Sequence, residues 1–142
     1  MNATPSRWLL KSEPETYAFA DLQRDGRTVW DGVRNAQAAN FLRAMRQGDQ
    51  ALFYHSGAER AVVGLATVER EAYPDPGDAS GRFVAVEISY LRPLSRPVSL
   101  AEMKAAPALS GMIMLRQSRL SVAPVSPAEW SAILAMAGDT SA

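Results

Sequence analysis

Cysteine is absent from this chain, and histidine occurs once, at His55. Without thiols there are no disulfides and no thiolate metal sites, and a single imidazole excludes two-histidine zinc sites and the HExxH arrangement. A cysteine-free chain suits the reducing cytoplasm, or the nucleus of a eukaryote. No stretch approaches the roughly 18 uninterrupted apolar residues of a spanning helix. The start, "MNATPSRWLLKSEPE", lacks the apolar core and small-residue cleavage pattern of a secretory leader. Neither a membrane span nor export is therefore expected. An excess of one charge is missing too: 15 basic residues face 15 acidic ones. Non-specific nucleic-acid binders draw their affinity from neutralised phosphates, so this chain is no general polyanion binder. A nucleic-acid role requires a local basic patch beside a shaped pocket. The phosphate loops GxxxxGK[ST] and GxGxxG do not occur, nor does a GxSxG nucleophile elbow.

What is present describes one globular domain. At 142 residues, with 47% hydrophobic and 21% charged, the chain can bury a single core and is expected to form one domain over 1–142. "RWLLK" (7–11) reads as a buried strand closed by Ser12-Glu13-Pro14, and "YAFADLQRDG" as a short helical turn stopped at Gly26. Ala38, Phe41, Leu42 and Met45 repeat at helical spacing. They predict a one-faced helix over 36–46 with Asn35 as N-cap and Gly48 as stop.

Further on, "QALFYH" and "AVVGLATV" flank the short loop "SGAER", a hairpin pattern. "YPDPGDASG" reads as solvated loop, and its aspartates lack calcium-loop spacing. "FVAVEISYL" alternates like a half-buried strand. Ser99-to-Glu102 and Ser126-to-Glu129 have capping-box spacing and start two short helices, the second stopped at Gly138. Leu120 and Val122 share one face of a last strand, with Arg119 and Ser121 on the other. Short, mostly hairpin-connected strands interspersed with helices predict an α+β domain built on a small, partly open barrel.

Few residues offer chemistry. His55 reads either as a general base or as a polar residue closing a strand end; a catalytic constellation needs partners that the sequence does not supply, which favours the second. Lys11, Ser12 and Glu13 leave a buried strand in succession, so a cation, a hydroxyl and a carboxylate meet at one strand end. Such a cluster suits the polar edge of a nucleobase or simply reaches water. Trp30, in "TVWDGVRNAQAANFLRAM", is either a core plug or a stacking surface held by the Asp31-Gly32 turn. Arg34 and the amides near Asn35 sit at the positive end of a helix, where a phosphate is stabilised. Arg34, Arg43, Arg46, Arg116 and Arg119 are the candidates for a local basic patch.

"WLLKSEP", "VWDGVRNAQAANFLRAM", "GDQALFYHS", "VVGLATV", "YPDP" and "RQSRLSV.PV" resemble, in order and spacing, the EVE domain family of the PUA-like superfamily, from about Trp8 to Trp130. Ala36 and Ala39 depart from the pattern, where members commonly carry an aromatic residue and an arginine. The resemblance implies a PUA-like mixed or antiparallel β-barrel with short surrounding helices and a pocket on one side. No cofactor and no metal are expected. The family is similar to YTH domains, in which an extruded methylated base enters an aromatic cage, and is associated with reading modified bases such as modified cytosines by flipping. By analogy its bacterial members are tied to RNA modification and defence.

Carried onto this chain, the cage positions that the resemblance implies are Lys11, Ser12 and Trp30; with Glu13, Asn35, Tyr54, His55, Ser56 and Ser121 they make up the expected base pocket. Arg34, Arg43 and Arg119 would receive phosphates. The expected partner is DNA or RNA with a modified base, bound by a monomer without catalysis. Two alternatives stand beside this: a small hydrolase of modified nucleosides or amides using Lys11, Glu13 or His55, and a protein-interaction module with a vestigial pocket.

Overall fold

The computed structural model describes residues 6–139. The described residues form six strands, β1 (Arg7–Ser12), β2 (Arg27–Trp30), β3 (Gln50–His55), β4 (Ala61–Pro74), β5 (Val84–Ser99) and β6 (Val122–Val125), of which all but β2 follow alternating or continuous apolar runs. Between them lie helices α1 (Phe19–Asp25), α2 (Ala36–Ala44), α3 (Leu100–Ala105) and α4 (Ile113–Arg116), and α5 (Pro127–Met136) ends the fold. A 3-10 turn, Pro107–Leu109, separates α3 from α4.

The strands form one mixed sheet in the order β2-β5-β4-β3-β1-β6. β1 runs parallel to β3 and antiparallel to β6. This parallel pair departs from the hairpin-linked expectation: α1, β2 and α2 provide the long connection that parallel neighbours need. β3, β4 and β5 follow as antiparallel neighbours, and bulges break the long β4–β5 ladder at four points. Such bulges sharpen the bend of a strand. The sheet has two free ends, β2 and β6, so the barrel expected from the sequence is not closed by hydrogen bonds.

α2 is capped by Asn35, whose side chain accepts from Ala38 N, but it ends at Ala44 rather than 46. The capping boxes at Ser99 and Ser126 both form. β4 and β5 extend well past their expected ends, because each supplies the other with backbone partners that composition cannot reveal. β2 is absent from the sequence reading, since its four residues are stabilised by pairing with β5 rather than by an apolar pattern. Arg119 and Ser121 precede β6 instead of lying on it, although the Ser121 carbonyl accepts from Lys11 N at 2.9 Å.

The core gathers Leu9, Leu10, Leu52, Phe53, Val62 and Ile88 from the sheet with Leu22, Leu42, Met103 and Ile133 from the helices. Gly64 allows the closest approach within it. A Cβ there would stand 2.1 Å from the Phe19 ring, and that ring packs 5.2 Å from both Phe53 and Tyr90.

Candidate nucleic-acid interface

Parallel strands leave a sheet at the same end, so β1 and β3 deliver their last residues side by side. Ser56 N donates to Ser12 O at 2.8 Å and locks the two exits together. The segment leading into antiparallel β6 arrives at the same end. β2, at the opposite edge of the sheet, ends at Trp30. One cavity of about 710 Å³ is lined by residues from both edges: Trp30 after β2, Arg119 and Ser121 before β6, and Lys11, Ser12 and Ser56 between them. The sheet is therefore curled, and the cavity lies where its edges approach. Its volume falls within the range of about 300–1,000 Å³ usual for small-molecule sites.

Nine of the twelve residues expected here line it: Lys11, Ser12, Glu13, Trp30, Arg34, Asn35, Ser56, Arg119 and Ser121. Three do not. His55 is buried, and both ring nitrogens are engaged: Nε2 accepts from Phe19 N at 2.9 Å, which leaves Nδ1 to donate to Glu59 at 2.7 Å. It fastens the start of α1 to the end of β3, the strand-closing role. Tyr54 is 3% exposed and lies beneath Lys11, whose ammonium stands 5.7 Å from its ring centre. Arg43 points elsewhere, donating to Asn40 and to the Arg82 carbonyl.

Trp30 lies between the core and the cavity. It is half-buried, packs against the core and meets Phe53 edge-on, with centroids 5.6 Å apart and planes at 80°. It also walls the cavity. The segment that follows is held by Asp75. This carboxylate, 3% exposed, accepts from Arg34 at 2.8 Å, Gly32 N at 2.9 Å and Gly77 N at 2.7 Å. Arg34, with help from the two amides, keeps it below the usual aspartate range against the opposing effect of burial. Gly32 has φ +76°, a backbone that glycine adopts without strain.

Asp75 is thus no solvated loop residue, as its surroundings in "YPDPGD" suggested. The visible signal was an Asx turn, in which an aspartate side chain caps an amide two residues on. What lay out of sight was its long-range hold on Gly32 and Arg34.

The polar wall has definite directions. Ser12 Oγ gives its proton to the Tyr17 carbonyl, leaving acceptor lone pairs. Asn35 lends its side-chain oxygen to Ala38 N and keeps its NH2 free. Burial holds the Lys11 ammonium below its usual range, and it donates to the Ser118 carbonyl at 2.8 Å. Arg34 is already paired with Asp75, whereas Arg119 makes no side-chain contact of that kind among the described residues. Those residues also hold no cluster of His, Cys, Asp or Glu fit for a metal ion, and no helix long and apolar enough to cross a membrane.

Fold and site together define a small mixed α+β domain with an aromatic and polar cavity between the ends of one curled sheet. The chain belongs to the EVE domain family, which it matches over residues 6–136. It is 33% identical to human thymocyte nuclear protein 1 over 165 aligned positions, covering 92% of this chain and 73% of that one. A protein of Rhodopseudomonas palustris solved by NMR superposes with a TM-score of 0.89 at 46% identity, covering 94% and 93% of the two chains. The human THYN1 protein, solved in complex with 5-methylcytosine-containing DNA, superposes with a TM-score of 0.86 at 32% identity, covering 93% and 97%.

Proposed function

We propose that this chain is a non-enzymatic nucleic-acid reader that accepts one extruded, modified base, a methylated cytosine in DNA being the leading candidate, into the cavity beside Trp30. The observation that carries the reading is the half-buried indole, braced by Phe53 on the core side and walling on the other a cavity with room for a base. Base–aromatic stacking contributes on the order of 1–3 kcal/mol. The apolar Val29, 41% exposed at the same wall, suits a methyl substituent.

Around it, Ser12 Oγ and the Glu13 carboxylate are acceptors for an exocyclic amino group, and the Asn35 NH2 is a donor for a ring acceptor. Ser56 and Ser121 complete the polar rim. Arg119 is the cavity-lining cation free for a phosphate, while Arg34 serves chiefly to fix the loop. The relative solved with 5-methylcytosine-containing DNA supports the ligand class. A partly open barrel is the architecture this reading takes the curled sheet to represent.

The hydrolase alternative loses its imidazole, because both His55 nitrogens are engaged in the fold. The direct test is titration of Trp30→Ala with oligonucleotides bearing 5-methylcytosine or cytosine. The variant stays folded, loses binding by about 10-fold or more, and loses discrimination between the two bases. Unchanged affinity and selectivity would overturn the assignment.

A further inference from the structure

The cavity has two flanks of unlike charge. On the flank formed by residues 31–35, Arg34 is paired with Asp75, and Asp31 and Asp78 also act on it, so positive charge is cancelled there. On the other flank stand Lys11 and Arg119, with Glu13 as the rim carboxylate. Neither cation has a carboxylate partner among the described residues. Lys11 lies over Tyr54, and Tyr54 in turn feels the charge of Arg60. The uncompensated charge therefore continues outward across the turn that joins β3 to β4.

That turn leads to a second cavity, of about 330 Å³, lined by Glu59, Arg60, Ser99, Leu100, Ala101 and Lys104. Its one carboxylate, Glu59, is directed onto His55. The side chains of Arg60 and Lys104 have no hydrogen-bond or ion-pair partner among the described residues. Arg60 is also the one non-glycine residue among them with positive φ, at +46°, and its carbonyl is fixed by Leu100 N at 2.8 Å. A bulky residue held in that conformation is a costly choice for a plain turn, which glycine would make without strain.

We infer that Arg60 and Lys104 hold a backbone phosphate of a nucleotide flanking the extruded one, so that the strand leaves the main cavity over the β3–β4 turn rather than past Arg34 and the start of α2. This rests on the base-reading proposal above and adds the path of the strand. The physical basis is counterion release: each phosphate neutralised by an unpaired cation steepens the salt dependence of binding, whereas a cation already paired with a carboxylate contributes little.

The test measures the affinity of the full chain for a 5-methylcytosine oligonucleotide between about 50 and 200 mM salt. Arg60→Asn removes the charge while tolerating the left-handed backbone, and Lys104→Gln removes the second charge. Arg92→Gln, whose cation is paired with Asp139, is the control. The double variant is expected to lower the log–log salt slope by about 1 and to leave the methylated-to-unmethylated ratio unchanged. The control leaves the slope as it was.

An unchanged slope in a double variant that still discriminates the methylated base overturns the strand path alone. A drop in the control that is as large per removed charge as in the double variant overturns it as well, since the effect is then one of total charge. A wild-type chain that binds neither oligonucleotide overturns the base-reading proposal and the path together.

Discussion

Trp30 rests edge-to-face on Phe53 at a centroid distance of 5.6 Å, and this contact fixes the wall of the cavity. Replacing Phe53 by leucine keeps an apolar side chain but removes the ring that braces the indole. Large-to-small changes in a core cost about 2–5 kcal/mol at the extreme of truncation to alanine, and this milder one is expected near 1–2 kcal/mol. Nucleic-acid affinity should also fall in the folded variant. Denaturant unfolding combined with oligonucleotide titration separates the two effects.

Asp75 is predicted to act on binding without touching the ligand. It holds Gly32 N and Arg34, and so the segment that follows Trp30. Asp75→Asn keeps the shape but loses charge and one acceptor oxygen. Affinity for the methylated oligonucleotide is expected to drop several-fold, with a methylated-to-unmethylated ratio lower than in the wild type. A variant that loses stability and keeps that ratio would reduce Asp75 to a purely structural residue.

Acid should weaken the fold through the carboxylates held below their usual range. Arg34 does this to Asp75, Ser80 does it to Asp78, lowered to about 2, and Arg96 does it to Glu102, also lowered to about 2. A depressed folded-state value means that the stabilisation is fully present above the unfolded-chain value of about 4 and is lost as pH falls through the folded one. Stability followed from about pH 5 to pH 2 should therefore decline. Asp75→Asn should start lower and decline less.

His55 is predicted to matter for stability alone. His55→Ala leaves Phe19 N without its acceptor in a buried position, a loss on the order of 1–3 kcal/mol. The melting temperature should fall, and binding measured well below the melting point should remain close to that of the wild type. A large loss of binding in the folded variant would return His55 to the pocket.

Gly64→Ala probes the packing of α1 on the sheet. The added methyl would stand 2.1 Å from the Phe19 ring, which is confined by Phe53 and Tyr90 and cannot simply move aside. Overpacking of this kind costs about 1–3 kcal/mol. Thermal unfolding reads it directly.

The helices of this domain were the most legible elements, because a cap and an apolar stripe are local signals. Asn35, Ser99 and Ser126 all cap where their spacing indicated. The strand-end cluster Lys11-Ser12-Glu13 was legible for the same reason, since a buried run followed by proline announces an exit. β2 and the parallel β1–β3 pairing were not legible, being properties of partners far away in sequence. Asp75 and Asp49 escaped for a related reason. Each is a buried carboxylate whose donors lie elsewhere in the chain, Asp49 accepting from the Trp8 indole, Ser6 N and Arg46 N. His55 and Tyr54 were assigned to the pocket with Ser56 as the end of one strand, but alternation turns His55 to the other face, and Tyr54, on the face of Ser56, is covered by Lys11, so that only Ser56 reaches the cavity.

Whether a base lies against Trp30 can be read from the three indole N–H resonances individually. Trp8 is bonded to Asp49 and Trp130 is buried, so both are shielded from a ligand in the cavity. Titration with a 5-methylcytosine oligonucleotide is predicted to shift the Trp30 signal strongly and leave the other two nearly still. Saturating binding with the Trp30 signal unmoved would mean that the base lies elsewhere.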